Sequence, residues 1–302
     1  MGVLTELHCH TIYSNGFNKS KRIPFESTTT PEDLLIAAER NGVNCLFVTD
    51  HNNQRGFPKI REYWQNHARF HKIGLMPGVE ISTKEGHVIG LGVSEEIKTG
   101  MSVEDTIEEI HRQNGLCVSV HPFALGSGIR EKSNLCDLIE IHNSVSVDVY
   151  SNKAAENYAR KHHMTQVVGS DAHIPDIVGR NLNDVEAESS LDDVLSSLGK
   201  GKTLPAKIGY ITAEEYTHWI HPKLLYSRDK IKNYLRVSRP KLKFIAEMAL
   251  NFYLKYPELF LWRRLTTFAM RSVRNKSKKL NWSWLEPSDF EQKDLYKTLN
   301  FT

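Results

Sequence analysis

Histidines and carboxylates fall in six small groups along this chain: His8-Cys9-His10, Asp50-His51, Glu80, His87, His121-Pro122 and Asp171-Ala172-His173. Side chains two apart on an extended segment share a face. His8 and His10 can therefore grip one ion while Cys9 turns away, and Asp171 and His173 repeat the relation. Imidazole combined with carboxylate suits Zn²⁺, Mn²⁺ or Fe²⁺ better than a soft, all-thiolate site does. These groups offer about eight potential ligands, too many for one tetrahedral ion. Two or three divalent ions sharing a bridging carboxylate are expected. Two ions about 3.5–4 Å apart lower the pKa of a bridging water and deliver hydroxide in line to phosphorus, while neutralising charge on the other phosphoryl oxygens. The expected chemistry is hydrolysis of a phosphate ester. No Ser/His/Asp or Cys/His arrangement stands out to supply a protein nucleophile.

Groups so far apart in sequence converge only if the fold brings strand ends to a common mouth, as parallel α/β architectures do. Up to about residue 200 the pattern provides this, with short apolar runs ending in polar residues and alternating with amphipathic stretches. Strands are expected at Val3–Leu7, Asn44–Thr49, Gly74–Ile81, His87–Val93, Leu116–Val120, Leu138–Ile141, Gln166–Gly169 and, weakly, Leu182–Val185. Thr30-Pro31-Glu32-Asp33 reads as an N-cap, a proline at the first helical position and an acidic first turn. Asn41-Gly42 closes that helix. Further helices are expected around Pro58–His71, from Ser102 to Asn114-Gly115, over Lys153–His162 and over Leu191–Leu198. His87 begins its strand instead of ending one, so it joins the mouth only if that strand runs antiparallel or its turn is tight. The histidines on predicted helices (His67, His71, His111, His162, His163) read as ordinary surface or packing residues, and so do His218 and His221.

Taken together, these motifs resemble a known family. His8-x-His10-Thr11-x-x-Ser14-x-Gly16, Thr49-Asp50-His51, Gly78-Val79-Glu80, His87-x-x-Gly90, Ser119-x-His121-Pro122, Ile139-Glu140-x-x-Asn143 and Gly169-Ser170-Asp171-Ala172-His173 are similar, in order, to the motifs of the PHP (polymerase and histidinol phosphatase) family. The resemblance covers about residues 1–187 and implies an α/β fold, a distorted (β/α)7 barrel with a two- or three-metal site. It implies a first ion on His8, His10, Glu80 and Asp171. The second would take Glu80 as a bridge with His87 and His121, and the third His51 and His173. Glu80 and Asp171 would be the catalytic carboxylates. Many members carry an Asp in the Ser-Asp-Gly position, where this chain has Asn15, a neutral and weaker donor. Asp50 is expected to orient a neighbouring ligand from outside the coordination sphere. For the substrate, Arg130 and Arg180 are the candidate phosphate contacts, and Lys19, Lys21 and Arg22 lie on a loop that could close over an anion.

The chain changes character after Gly201. From Pro205 to the end it carries 19 Lys/Arg against 9 Asp/Glu, while the rest is acidic and the whole has a net charge of +3. That split suggests two modules: a metallohydrolase domain over 1–204 and a basic, mainly helical extension over 205–302. In the extension, Leu242–Leu254 and Glu258–Val273 have helical apolar periodicity and Pro257 separates them. Interleaved aromatic and basic residues make this tail a candidate for anionic membrane surface or nucleic acid. The functional expectation is a small-molecule or nucleotide phosphomonoesterase. The alternatives are a nuclease or phosphodiesterase whose tail holds nucleic acid, or a non-catalytic metal-stabilised module. Cys9, Cys45, Cys117 and Cys136 form no C-x-x-C pair and read as buried free thiols, which suits a reducing cytoplasm. The N-terminal residues have no signal-peptide pattern, and no apolar run reaches the ~18 residues of a membrane span.

Overall fold

The computed structural model describes residues 2–16, 23–187, 190–238 and 241–290. The loop bearing Lys19, Lys21 and Arg22 lies outside them. Nine strands form one sheet: β1 (Val3–Glu6), β2 (Cys45–Val48), β3 (Gly74–Ser82), β4 (His87–Leu91), β5 (Leu116–Ser119), β6 (Leu138–Asn143), β7 (Thr165–Gly169), β8 (Leu182–Val185) and β9 (Thr203–Lys207). Their order is β7-β6-β5-β4-β3-β2-β1-β8-β9. Pairing is parallel through β1, β2 and β3 and again through β5, β6 and β7. β4 runs antiparallel to both β3 and β5, which puts His87 opposite Ser82 at the outgoing end of β3. The reversed strand is what brings His87 to the common mouth.

β1 and β7 meet just beyond their ends, through a parallel bridge between Cys9 and Ala172. The His10 amide donates to the Ala172 carbonyl at 2.9 Å. Lower down, β8 lies beside β1, and the Asn183 side chain spans the remaining gap. Its oxygen accepts from Val168 N at 2.9 Å and its nitrogen donates to Val168 O at 2.8 Å. A side-chain amide thus replaces the missing ladder where the barrel of seven strands is distorted.

Both faces of the strands are buried, as expected for strands covered by helices outside and filled inside. Leu7, Cys45, Phe47, Met76, Ile89 and Val118 belong to one cluster. Leu46 and Val48 turn the other way, against α1 (Pro31–Arg40) and α2 (Gly56–Asn66). α3 (Val103–Arg112) covers Val79 and Val88, and α4 (Tyr150–His162) covers Ile139 and Val168. The Thr30 cap forms a full capping box with Asp33, with Pro31 at the first helical position. α2 is shorter than its pattern suggested: it stops at Asn66, and a separate 3₁₀ turn follows at Ala68–Phe70. α5 (Leu191–Gly199) precedes β9.

The tail is helical, with α6 (Ala213–Tyr226), α7 (Arg228–Ser238), α8 (Lys243–Lys255) and α9 (Phe260–Leu280). It packs on the barrel at two places. Trp219 of α6 donates its indole N–H to Glu26 O at 2.7 Å, and Lys223 pairs with Glu26 at 3.1 Å. After α9, Asn281 donates to Phe123 O, and Trp284 lies against Phe123 and Tyr158.

Candidate metal centre

Glu80, near the outgoing end of β3, is 1% exposed and has five histidines around its carboxylate. Oε1 lies 2.7 Å from His87 Nδ1 and 3.1 Å from His121 Nε2. Oε2 lies 2.8 Å from His51 Nδ1, 3.2 Å from His10 Nε2 and 3.6 Å from His8 Nε2. Asp171 Oδ1 forms a second hub, 3.3 Å from His8, 3.2 Å from His10 and 3.4 Å from His173. All eight candidate ligands therefore share one pocket. They group as His8/His10/Asp171, His8/Glu80/His121, His51/Glu80/His87 and His10/His51/His173, with donor atoms within 4.8 Å of one another in each set. The sets overlap at Glu80, His8, His10 and His51, so neighbouring ions here would share ligands.

The residues fit divalent ions. His8 Nε2, His10 Nε2 and Glu80 Oε2 are fully buried and make no hydrogen bond of acceptable geometry. Buried polar atoms are rarely left this way, and lone pairs converging on one point are what a cation satisfies. The second nitrogens are held from behind, as metal-ligating imidazoles usually are. His8 Nδ1 is 2.9 Å from Glu140 Oε1. His10 Nδ1 is 3.3 Å from Ser14 Oγ, which in turn donates to Asp50. His173 Nδ1 is 2.9 Å from the Asp171 carbonyl. These contacts fix which nitrogen of each of these rings faces the pocket.

Electrostatics hold both carboxylates ionised and divide the histidines, with His51 and His173 lowered and His8, His10 and His121 raised. Burial raises the Glu80 pKa, but His51 and His87 outweigh it and hold the carboxyl well below the usual range. Burial likewise opposes ionisation of Asp171, and His8 and His10 overcome it. Burial and the nearby charge of His10 push His173 well below the ordinary histidine value. For His10, burial is outweighed by the Asp171 and Glu80 carboxylates close beside it, which lift it to about 9. A cation entering the pocket would have to displace a proton there. Two pocket residues carry unusual backbone: His121 and Asp171 have φ of +31° and +51°. Non-glycine residues in that region are held against local preference, as is common at functional sites.

The remaining sequence candidates lie elsewhere. Asn15 Oδ1 accepts from Glu26 N at 2.6 Å and Ser27 N at 2.9 Å, and its nitrogen donates to Ser27 O. Its amide is committed to bracing a loop. Asp50 accepts from Thr11 N, Thr11 Oγ and Ser14 Oγ. Arg130 donates to Asn281 and to Leu280 O, and Arg180 to Tyr210 O and Glu215. Both guanidinium groups thus face residues that follow the barrel strands, away from the Glu80 cluster's contacts.

Other contributors went unassigned in the sequence. Glu140 receives His8 Nδ1, the His121 amide and Asn143 Nδ2. Asn143 also reaches Asp171 Oδ2 at 3.2 Å. Glu6 accepts from His8 N, Ser170 N, Ser170 Oγ and Gly179 N, and burial lifts its pKa to about 7. Glu140 and Asn143 stand in one of the family motifs without a role there, and the signal available for Glu6 was a carboxylate inside an otherwise apolar strand. Trp219 packs on His173 at 4.9 Å between ring centres, which brings the tail into the wall of the site.

Comparison with known proteins bears on the family and the fold. Residues 149–203 match the PHP-associated family model. A 158-residue stretch is 34% identical to an uncharacterised protein of Methanocaldococcus jannaschii, covering 50% of this chain and 88% of that protein. This chain belongs to the PHP family. A second relative is the 5'-3' exoribonuclease Rnm of Salmonella typhimurium, 34% identical over 95 residues, spanning 30% of this chain and 28% of Rnm. Among solved structures, PsfC from Pseudomonas syringae PB-5123 superposes with a TM-score of 0.51 at 15% identity, covering 76% of this chain and 99% of PsfC, which speaks to the fold alone. As in the PHP resemblance seen in the sequence, the histidines and carboxylates stand at one end of a distorted barrel. All four cysteines are free and buried, and among the described residues no helix is long and apolar enough to cross a membrane.

Proposed function

We propose that this PHP protein hydrolyses phosphomonoesters of small molecules or nucleotides. The observation that carries this reading is the Glu80 carboxylate, shared among five histidines in a pocket that also holds Asp171. Divalent manganese, zinc or iron bound there supplies Lewis-acid charge and a water acidic enough to react near neutral pH. The chain's own part is to hold the donors in register. Glu80 would be shared between ions, and Asp171 and His8 would hold one of them. His87 and His121, beside Oε1, and His51 and His173 would supply the other donors. Glu140 and Asp50 keep imidazole protons directed away from the pocket. Arg130 and Arg180, proposed as phosphate contacts, would have to release Asn281 and Glu215 first, so the ions carry most of the work of neutralising the substrate. The barrel domain over 1–204 carries this chemistry in our reading, and the extension over 205–302 walls one side of it.

A nuclease reading is favoured by one observation, the similarity to the exoribonuclease Rnm, together with the basic tail. The two readings separate in one experiment. A panel of phosphomonoesters is assayed beside single-stranded RNA and DNA, with and without chelator. Release of inorganic phosphate from monoesters, abolished by chelator, supports the first reading. Cleavage confined to polynucleotide would replace it with the second.

A further inference from the structure

Each of the last two helices is apolar on more sides than its packing uses. In α8, Leu250 and Tyr253 are buried, and Tyr253 Oη donates to Thr217 O of α6. In α9, Thr266, Met270, Arg274 and Ser277 are buried, with Thr266 against Thr217. Those residues recur at helical spacing and use one face of each helix. A second face stays in water. On α8 it holds Phe244, Ile245, Met248 and Phe252, with Phe244 74% and Ile245 67% exposed. On α9 it holds Leu261, Leu265 and Phe268, the last 73% exposed. Side chains this large and this exposed on two consecutive helices go beyond the scattered apolar surface of an ordinary soluble domain.

The charge around them narrows the partner. Residues 241–279 contain ten Lys/Arg and two Asp/Glu. Among the described residues, no carboxylate pairs with Arg263, Arg264 or Arg271, and Arg264 lies over the Phe260 ring at 4.8 Å. Arg264, Phe268 and Arg271 follow at four and three residues, so base and aromatic alternate along one face. A second copy of the chain is disfavoured, because docking like on like sets two strongly basic surfaces together. Nucleic acid would use the bases and the aromatic rings, but Ile245, Met248, Leu261 and Leu265 offer no plane on which a nucleobase stacks. Aliphatic and aromatic side chains rimmed by unpaired Lys/Arg are what an anionic lipid surface accepts, with hydrocarbon taking the first and phosphate the second.

We infer that the exposed face of α8 and α9 binds peripherally to anionic phospholipid bilayers. The test uses the full chain and vesicles of phosphatidylcholine, with or without phosphatidylglycerol. The expected result is co-sedimentation with the anionic vesicles only, weakened by salt because the basic rim is screened. Replacing Arg264 and Arg271 by Ala should lower the partition coefficient about fivefold for each. Phe244→Asp with Phe268→Asp should abolish binding while leaving the thermal midpoint and metal content unchanged. Three outcomes overturn the inference: no association with anionic vesicles at low salt, association untouched by the double Asp variant, or a protein dimer whose formation consumes the same face and blocks vesicle binding.

Discussion

At the barrel mouth, side chains that water ordinarily solvates are buried. On α8 and α9, side chains that water ordinarily expels are exposed. Glu80 at 1% exposure and Phe244 at 74% stand for the two. Both placements are unfavourable for an isolated chain, and the compensation differs. Around Glu80 it is internal and nearly complete, since outer partners such as Glu140, Ser14 and the Asp171 carbonyl satisfy the second nitrogens of His8, His10 and His173. The atoms left over converge on points that cations would fill. On the outer face of the tail nothing internal compensates, so the missing partner is a surface and not an ion. The contrast teaches that an inverted residue has to be judged by its supporting neighbours: a built outer shell marks a site for something small, and its absence marks a contact with something extended.

The sharpest way to break the comparison is to strip the mouth of a first ligand. Asp171→Asn or His8→Ala should abolish phosphatase activity and lower metal affinity by more than the ~10–100-fold typical of outer-shell changes, with the circular dichroism spectrum intact. Retained activity would mean that the site has been misplaced. Next comes the seam between the two regions. Trp219, buried between His173 and Lys223, should cost about 3–5 kcal/mol as Trp219→Ala, read from urea unfolding. A variant as stable as the parent would mean that the tail and the mouth are independent.

A third prediction concerns acid. Burial holds His142 at about 4, below the ordinary 6.5, and Asn181 donates to its Nδ1. A histidine whose folded pKa is lowered favours the folded state above the unfolded pKa. That contribution drains away as pH falls from 6.5 through 4, by about 3 kcal/mol in all. His142→Phe should therefore lose less stability than the parent between pH 7 and pH 4. Equal losses would remove His142 from the account. The smallest effect expected is at the outer shell. Glu140→Gln should weaken metal binding by about 10–100-fold, measured by competition with a chromogenic chelator, with little change in unfolding free energy of the metal-free protein. An unchanged affinity would leave Glu140 as packing alone.

Much of the mouth was legible because its chemistry follows local rules. The i, i+2 relation in His8-x-His10 and Asp171-x-His173 needs only an extended backbone, and strand ends in an α/β pattern converge by topology. Glu6 and Glu140 were harder. Nothing in a strand's own periodicity distinguishes a carboxylate that meets amides from other strands from one that meets water. Asn15 and the two arginines show the converse, for their partners (Glu26, Ser27, Asn281, Glu215) come from segments whose approach no local pattern encodes. β9 escaped because it is a short edge strand containing Pro205. α6 escaped because Pro222 interrupts its helical pattern, while α8 and α9 announced themselves through apolar spacing. Which of their apolar faces would be covered required the packing itself.

If Glu80 joins ions in one shared cluster, the number of ions bound depends on that one carboxylate. The parent chain and Glu80→Ala are equilibrated with Mn²⁺, freed of excess, and analysed by elemental mass spectrometry. Two or three ions per parent chain and at most one in the variant are expected, because two of the ligand sets lose their common carboxylate and the two that remain both need His10. A parent that holds a single ion, or a variant that keeps the parent's full complement, would contradict it.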